Sequence, residues 1–259
     1  MAGASPSPSP EMIPAGHVPL LMYHYIRANP NPRDRVGYNL SVTPQNFEDQ
    51  MKWAHDHGFF TISMTDLYQA IAAGRPLDSH AFILTFDDGY ADFYTAALPV
   101  LKRYDFTATN YIVPGFVGRP GYMTWQQVLR LDQISFNIGA HTLTHPDLTR
   151  ESPSVAQAQV AGSKAELESR LGHRVDDFCY PSGRYNAAVV AMVRQAGFRD
   201  ATTTTFGTFE SAGTALYWPR VRIEGNNKLA DFAGRLQNGI ASFQKYGDAP
   251  PPRIFPAGF

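Results

Sequence analysis

Short apolar runs separated by segments of helical spacing set the rhythm of this chain. The runs cover residues 18–23, 81–86, 108–113, 134–138, 178–180 and 217–223, each short enough to be a strand buried on both faces. Helix signals lie between them. Pro99 suits the first turn of a helix through Tyr104, and Thr124 stands before WQQVLRL. Ser154 opens an Ala/Glu/Lys-rich stretch that ends near Leu171 with Gly172 beyond it. Asn186 can cap a helix running to Ala196, where Gly197 supplies a left-handed terminator. Strands alternating with helices predict parallel β/α units. At about seven such units a closed α/β barrel is more economical than an open sheet, and its functional groups are expected at the carboxyl ends of the strands.

The two ends of the chain break this rhythm. Residues 1–16 begin as alternating Ser and Pro and predict a flexible linker, which puts the folded domain at 17–259. The proline-rich end, GDAPPPRIFPAGF, is expected to lie over the surface. The start lacks the basic patch and apolar stretch of a signal peptide, and no run approaches the roughly 18 apolar residues of a membrane-spanning helix. The chain is therefore expected to be a mature or trimmed form of a longer precursor.

Composition narrows the partners. Hydrophobic residues make up 44% and charged residues 17%, an ordinary globular balance, and 22 basic against 23 acidic side chains give no footprint for a nucleic-acid backbone. A neutral or weakly charged substrate fits better. The single cysteine, Cys179, excludes an intrachain disulfide and a thiolate zinc cluster. Between Phe178 and Tyr180 it reads as a small buried hydrophobe.

Two segments carry chemistry. In AFILTFDDGY a buried strand ends in Asp87 and Asp88, adjacent like charges that repel unless a cation or hydrogen-bond donors offset them. Asp-Asp-Gly is also good turn chemistry, so the segment alone leaves a solvated acidic turn open. Phosphatases of the haloacid-dehalogenase type place their aspartates two residues apart, and this pair is adjacent. In GAHTLTHPDL, His141 and His145 stand four apart, a spacing that puts both imidazoles on one face of a helical turn. This segment also follows an apolar strand, so both segments belong at the same barrel end. Two imidazoles and a carboxylate with coordination positions left open suit a hydrolytic metal site.

TFDDGY and HTLTH resemble the first two motifs of the polysaccharide deacetylases, the NodB-homology carbohydrate esterases. VPLLMYHYI and YWPRVRI resemble the subgroup that contains poly-β-1,6-N-acetylglucosamine deacetylases, and the likeness runs from about His17 to Phe243. The resemblance implies a distorted (β/α)7 barrel and a metal-dependent hydrolase that removes N-acetyl groups from an N-acetylglucosamine-containing polysaccharide outside the cytoplasm. An O-acetyl esterase of the xylan type, or a barrel that binds glycan without turnover, would share the same sequence features. By motif, Asp87 is implied as general base, and Asp88, His141 and His145 as ligands of one divalent ion. Zinc is the first candidate, and cobalt, nickel or iron also suit the donors. The third family motif falls on YPSGRY, which implies the main-chain N–H of Ser182 as oxyanion donor.

The chain departs from the family pattern twice. The arginine that usually precedes the motif's proline and holds the base is missing, and Arg220 or Arg222 could replace it. The C-terminal histidine that often serves as general acid is also missing, since the last histidine is His173. His24, at the end of the first strand, is the expected substitute, against the reading of a packed core histidine. Tyr90 is the aromatic expected nearest the substrate. Trp125 and Trp218 are candidates for a sugar groove or, more ordinarily, for the core. His17, His55, His57, His80 and His173 read as surface groups.

Overall fold

The structure, a computed structural model, describes residues 11–31 and 33–237. Seven parallel strands close on themselves: β1 (Leu20–Tyr23), β2 (Ala81–Phe86), β3 (Thr109–Ile112), β4 (Asn137–Ala140), β5 (Asp177–Cys179), β6 (Asp200–Phe206) and β7 (Trp218–Arg222). Neighbours in the chain are neighbours in the ring, and β1 pairs with both β2 and β7 to complete it. This is the (β/α)7 barrel expected from the sequence. Short pairs flank it. Phe60–Thr61 adds to the start of β2, Met12–Pro14 runs antiparallel to Pro76–Asp78, and Tyr25–Ile26 pairs with Ser41–Val42.

Besides the short helix Arg35–Leu40, the helices outside the ring are α1 (Pro44–Asp56), α2 (Met64–Ala72), α3 (Leu98–Arg103), α4 (Trp125–Gln133), α5 (Pro153–Leu171), α6 (Ala187–Gln195) and α7 (Leu229–Leu236). Their starts follow from side-chain capping. Thr124 and Gln127 form a reciprocal capping box on α4, and the Asn186 side chain accepts from the Val189 N–H on α6. The cap of α5 is Ser152, with Pro153 in the first turn, two residues earlier than Ser154 suggests.

Strand parity sorts the ring into two surfaces. Leu21, Tyr23, Phe82, Leu84, Phe86, Ile138, Ala140, Phe178, Ala201 and Val221 face outward and build the main core with the helices. The alternate positions face the lumen. Its floor is apolar, with Leu20, Ile83 and the fully buried Trp218. The rest of the interior is polar, with Thr85, Thr109, Tyr111, Asn137 and Arg220 along the strands and Asp177 and Asp200 at the starts of β5 and β6. Arg199 pairs with Asp177 and Asp200 from the amino end.

Several expectations shift. The run 134–138 places its strand too early: Ile134 ends α4, Ser135 turns at φ 67°, and the strand proper is Asn137–Ala140. The strand β6, DATTTTF, has no apolar run at all. Its threonines are β-branched side chains that suit a strand; Thr202 and Thr203 are buried, and the hydroxyls of Thr203 and Thr204 donate to the Trp218 and Ser182 carbonyls, each at 3.3 Å. Residues 12–17, the end of the expected linker, form a strand and a 3₁₀ turn because Ile13 and Ala15 bury against the barrel. His17 is buried there too, at 1% exposure, and is not a surface group. The rest of the linker and the proline-rich end lie outside the described residues.

Gly139 shows how tightly the lumen is filled. A Cβ there would sit 2.5 Å from the Tyr111 ring. Replacing Gly139 with Ala is expected to cost about 1–3 kcal/mol through overpacking. Urea denaturation should show a lower midpoint with an unchanged m value.

Candidate active site

The register of the strands brings the two motifs together before any side chain is considered. Tyr23 lies beside Phe86, so His24 and Asp87 leave adjacent strands at the same level. Ala140 lies beside Phe178, so His141 and Cys179 do likewise across β4 and β5. By parity all four point into the mouth of the lumen, at the carboxyl ends of the strands.

Asp87 is nearly buried and held at both oxygens by one guanidinium: Arg220 Nη1 donates to Oδ1 and Nη2 to Oδ2, each at 2.7 Å. Arg220 is itself fully buried and spends its other donors on the Thr203 carbonyl, at 2.9 Å, and the Thr85 hydroxyl, at 2.9 Å. Burial alone would raise the Asp87 carboxyl, but the charge and hydrogen bonds of Arg220 outweigh it and hold the group well below the usual carboxylate range. Of the two arginines offered by YWPRVRI, Arg220 is therefore the one that replaces the missing motif arginine.

Asp88 turns the other way because its backbone adopts the left-handed region, φ 74°. Its Oδ1 lies 3.3 Å from His141 Nε2 and 3.4 Å from His145 Nε2. His141 Nδ1 is 2.6 Å from the Cys179 carbonyl, which can only accept, so Nδ1 donates there and Nε2 is turned to Asp88. Burial opposes a charge on His141, but Cys179 and Asp88 outweigh it and raise its pKa, which marks a place for positive charge that a cation would take over. Burial and the neighbouring His141 lower the pKa of His145, which favours its neutral form, and Asp88 is held at about 2. The buried Oδ1 of Asp88 has no hydrogen-bond partner among the described residues. One donor atom from each of Asp88, His141 and His145 lies within 4.8 Å of the others. An orphaned carboxylate oxygen facing two imidazoles fits a divalent cation, and zinc-type chemistry in particular.

The two histidines do not share a helical turn as their spacing suggests. They lie in a loop in which Thr142 (φ 60°) and His145 (φ 61°) are both left-handed, braced by the His145 N–H donating to Thr142 Oγ1 at 3.0 Å. Ser182 has φ 53°, so four of the six non-glycine residues with positive φ belong to the three motifs. Such conformations cost about 1–3 kcal/mol each and persist where the surroundings impose them. The Ser182–Gly183 turn is pinned by contact: a Cβ on Gly183 would lie 2.1 Å from Thr204 Oγ1. Ser182 is exposed on this turn directly after β5.

The structure places His24 with its Nε2 3.8 Å from Asp87 Oδ2. Burial lowers its pKa, against the pull of Asp87 and Asp88. Tyr90 is half-buried beside Asp88 and stacks on Tyr25 at 3.7 Å and on Tyr122 at 5.1 Å between ring centroids. Tyr25, Tyr122 and Phe116, which lies 5.0 Å from Tyr122, extend this aromatic wall and were not singled out by sequence. Neither tryptophan joins it. Trp218 is in the barrel floor, its indole N–H on the Ser211 carbonyl at 3.0 Å, and Trp125 lies beneath Arg170 on α4. Cys179 is buried as expected, but its thiol is polar in company, 3.2 Å from Arg220 and 3.7 Å from Asp87.

A seven-stranded barrel with a clamped aspartate beside a His-His-Asp triad is the arrangement of a hydrolase. The profile of the polysaccharide deacetylase family matches residues 74–201. The Bacillus subtilis protein YxkH, provisionally named a polysaccharide deacetylase, is 30% identical over 221 residues, covering 85% of this chain and 76% of that protein. The chain belongs to the polysaccharide deacetylase family, enzymes that act on polysaccharide acetyl groups. It is also similar to the poly-β-1,6-N-acetyl-D-glucosamine N-deacetylase of Escherichia coli K12, at 31% identity over 76% of this chain, although it spans only 36% of that protein. Among solved structures, the Streptococcus pyogenes deacetylase PplD in complex with acetate matches with a TM-score of 0.78 and 31% identity, over 88% of this chain and 99% of PplD.

The Arg220–Asp87 pair has a consequence for stability. A carboxyl whose folded pKa is depressed stabilises the fold above its unfolded value, about 3.9, and that contribution is lost as pH falls from there toward the folded value. Wild-type stability should thus fall on acidification below about pH 4. Replacing Arg220 with Met leaves a buried unpaired carboxylate and is expected to cost about 3–5 kcal/mol at pH 7. The Asp87→Leu/Arg220→Met double variant should recover part of that loss in denaturant titrations.

Proposed function

We propose that this chain is a metal-dependent N-deacetylase of N-acetylglucosamine-containing polysaccharide, working outside the cytoplasm, with zinc as the first candidate ion. The observation that carries the reading is the orphaned Asp88 Oδ1 facing two oriented imidazoles next to a clamped Asp87. The likeness to the E. coli N-deacetylase supports the substrate class, and placement outside the cytoplasm follows from the family resemblance.

Asp88, His141 and His145 would hold the ion, and Tyr90 stands beside them as the nearest aromatic wall for the sugar. When bound, the ion supplies Lewis acidity, which makes a water nucleophilic and favours negative charge on the amide oxygen. Asp87 accepts the proton of the attacking water. The Arg220 clamp keeps Asp87 ionised and aimed, and it also makes Asp87 a weak base that gives up its acquired proton readily. His24 Nε2, 3.8 Å away, is placed to carry a proton to the departing amine, which is a very poor leaving group without one. The Ser182 N–H serves the oxyanion from the opposite strand exit.

Three measurements test this. Wild-type enzyme should release free amine from N-acetylated chitooligosaccharides and far less acetate from acetylated xylan; the reverse pattern would make it an O-acetyl esterase. Asp87→Asn should cut turnover about 10²–10⁴-fold with metal content kept, whereas Asp88→Asn should lower metal occupancy. His24→Gln should slow amide cleavage strongly and an activated aryl acetate much less, since that leaving group needs little protonation. Equal losses on both substrates would return His24 to a packing role.

A further inference from the structure

Once Arg220 has taken the place of the missing motif arginine, Arg222 is left over. Parity puts it on the lumen face of β7, one step above Arg220, beside Met22 of β1 and one step below His24 at the mouth. It is half-buried, and its charge adds to the burial that lowers the His24 pKa. Yet among the described residues its guanidinium makes no hydrogen bond and no ion pair. Asp87 and, more weakly, Glu224 are the carboxylates that act on it, neither within ion-pair distance, and Arg235 bonds the Arg222 carbonyl, not its side chain. By contrast Arg184, Arg199 and Arg220 all hold carboxylates. A half-buried fork of five donors that holds no protein acceptor is free to serve an acceptor entering the mouth.

The order of strands says what that is. Around the ring the mouth reads Arg222 on β7, His24 after β1, Asp87 and Asp88 after β2, and His141 after β4. The candidate ion site and the attacking water lie on one side of His24, and Arg222 lies on the other. The acetyl group belongs on the first side, because the triad is there. The sugar that leaves as the amine therefore belongs against His24 and Arg222.

We propose that Arg222 is a specificity-determining, substrate-binding residue: its guanidinium donates to oxygen substituents of the sugar that carries the scissile acetamide, and its charge disfavours the ammonium of glycan already deacetylated there. This rests on the deacetylase reading above. An acetylated sugar offers neutral hydroxyl and ring oxygens that accept from the fork. The product offers a cation at the same place, and like charges a few ångströms apart repel in a part-buried mouth. The residue thus favours substrate over product and speeds release.

The test uses the metal-loaded full chain. On an N-acetylated chitooligosaccharide, Arg222→Gln should raise KM about 10–100-fold, the loss of a charge-assisted hydrogen bond, with kcat changed by no more than about threefold and metal content intact. Inhibition of wild-type enzyme by the fully deacetylated oligomer should be weak and should strengthen as salt screens the repulsion. In Arg222→Gln that inhibition should be stronger and insensitive to salt. Arg222→Lys keeps the charge and loses the fork, so its KM should rise while the salt-dependent inhibition stays; it also carries the test if the Gln variant folds poorly. An unchanged KM in both variants, or product inhibition that ignores Arg222 and salt, overturns the proposal. Absence of amine release by wild type would instead overturn the deacetylase reading, so the two failures are distinguishable.

Discussion

The Arg220–Asp87 pair is the constraint around which the barrel is arranged. A guanidinium and a carboxylate taken wholly out of water must satisfy each other and every remaining donor. Here the remaining donors of Arg220 reach the backbone of β6 and the hydroxyl of Thr85 on β2, so one side chain from β7 ties three strands across the lumen. That arrangement requires a polar interior above an apolar floor, and the lumen has both. The same clamp fixes the Asp87 carboxylate plane, which leaves Asp88 free to turn toward the histidines only by a left-handed backbone step. The clamped Asp87 and the candidate metal ligand Asp88 are thus separated by a single peptide unit and a change in the sign of φ.

The site carries much of its cost in the backbone. Asp88, Thr142, His145 and Ser182 sit where side chains are strained, and each stands at or just beyond a strand end in the ring. Strand register sets the coarse placement of these loops. Local hydrogen bonds, such as that from His145 N–H to Thr142 Oγ1, set the fine one. The thiol and carbonyl of Cys179 serve both sides at once: the carbonyl orients His141, and the sulfur lies between Arg220 and Asp87.

What could be read from the chain was whatever depended on period and on residue type at a strand end. Six apolar runs gave six barrel strands, and the caps Thr124 and Asn186 are where the capping rule puts them. Asp87, Asp88, His141 and His145 converge because short strands leave a parallel ring at a common level. What escaped depended on context instead. β6 is a strand of threonines, held by its β-branched shape and its place between β5 and β7, with no apolar run to announce it. The His-x₃-His spacing suggests a helical turn, and the turn is a left-handed loop because β4 and its exit are already committed to the barrel. Burial of His17 depends on a strand pair, Met12–Pro14 with Pro76–Asp78, that no local signal announces. The choice of Arg220 over Arg222 was legible in principle, since both share the lumen face and only the lower can meet Asp87 from beneath.

A closed ring has no first or last strand. β1 touches β7 on one side and β2 on the other, so a group at the start of the chain and a group near its end can occupy neighbouring seats. For this fold, the order of motifs in the chain carries little information about their order in space. A seat that the last strand leaves without a histidine borders the one that His24 fills. Proteins of this architecture are therefore better compared by walking around the barrel than by reading along the chain.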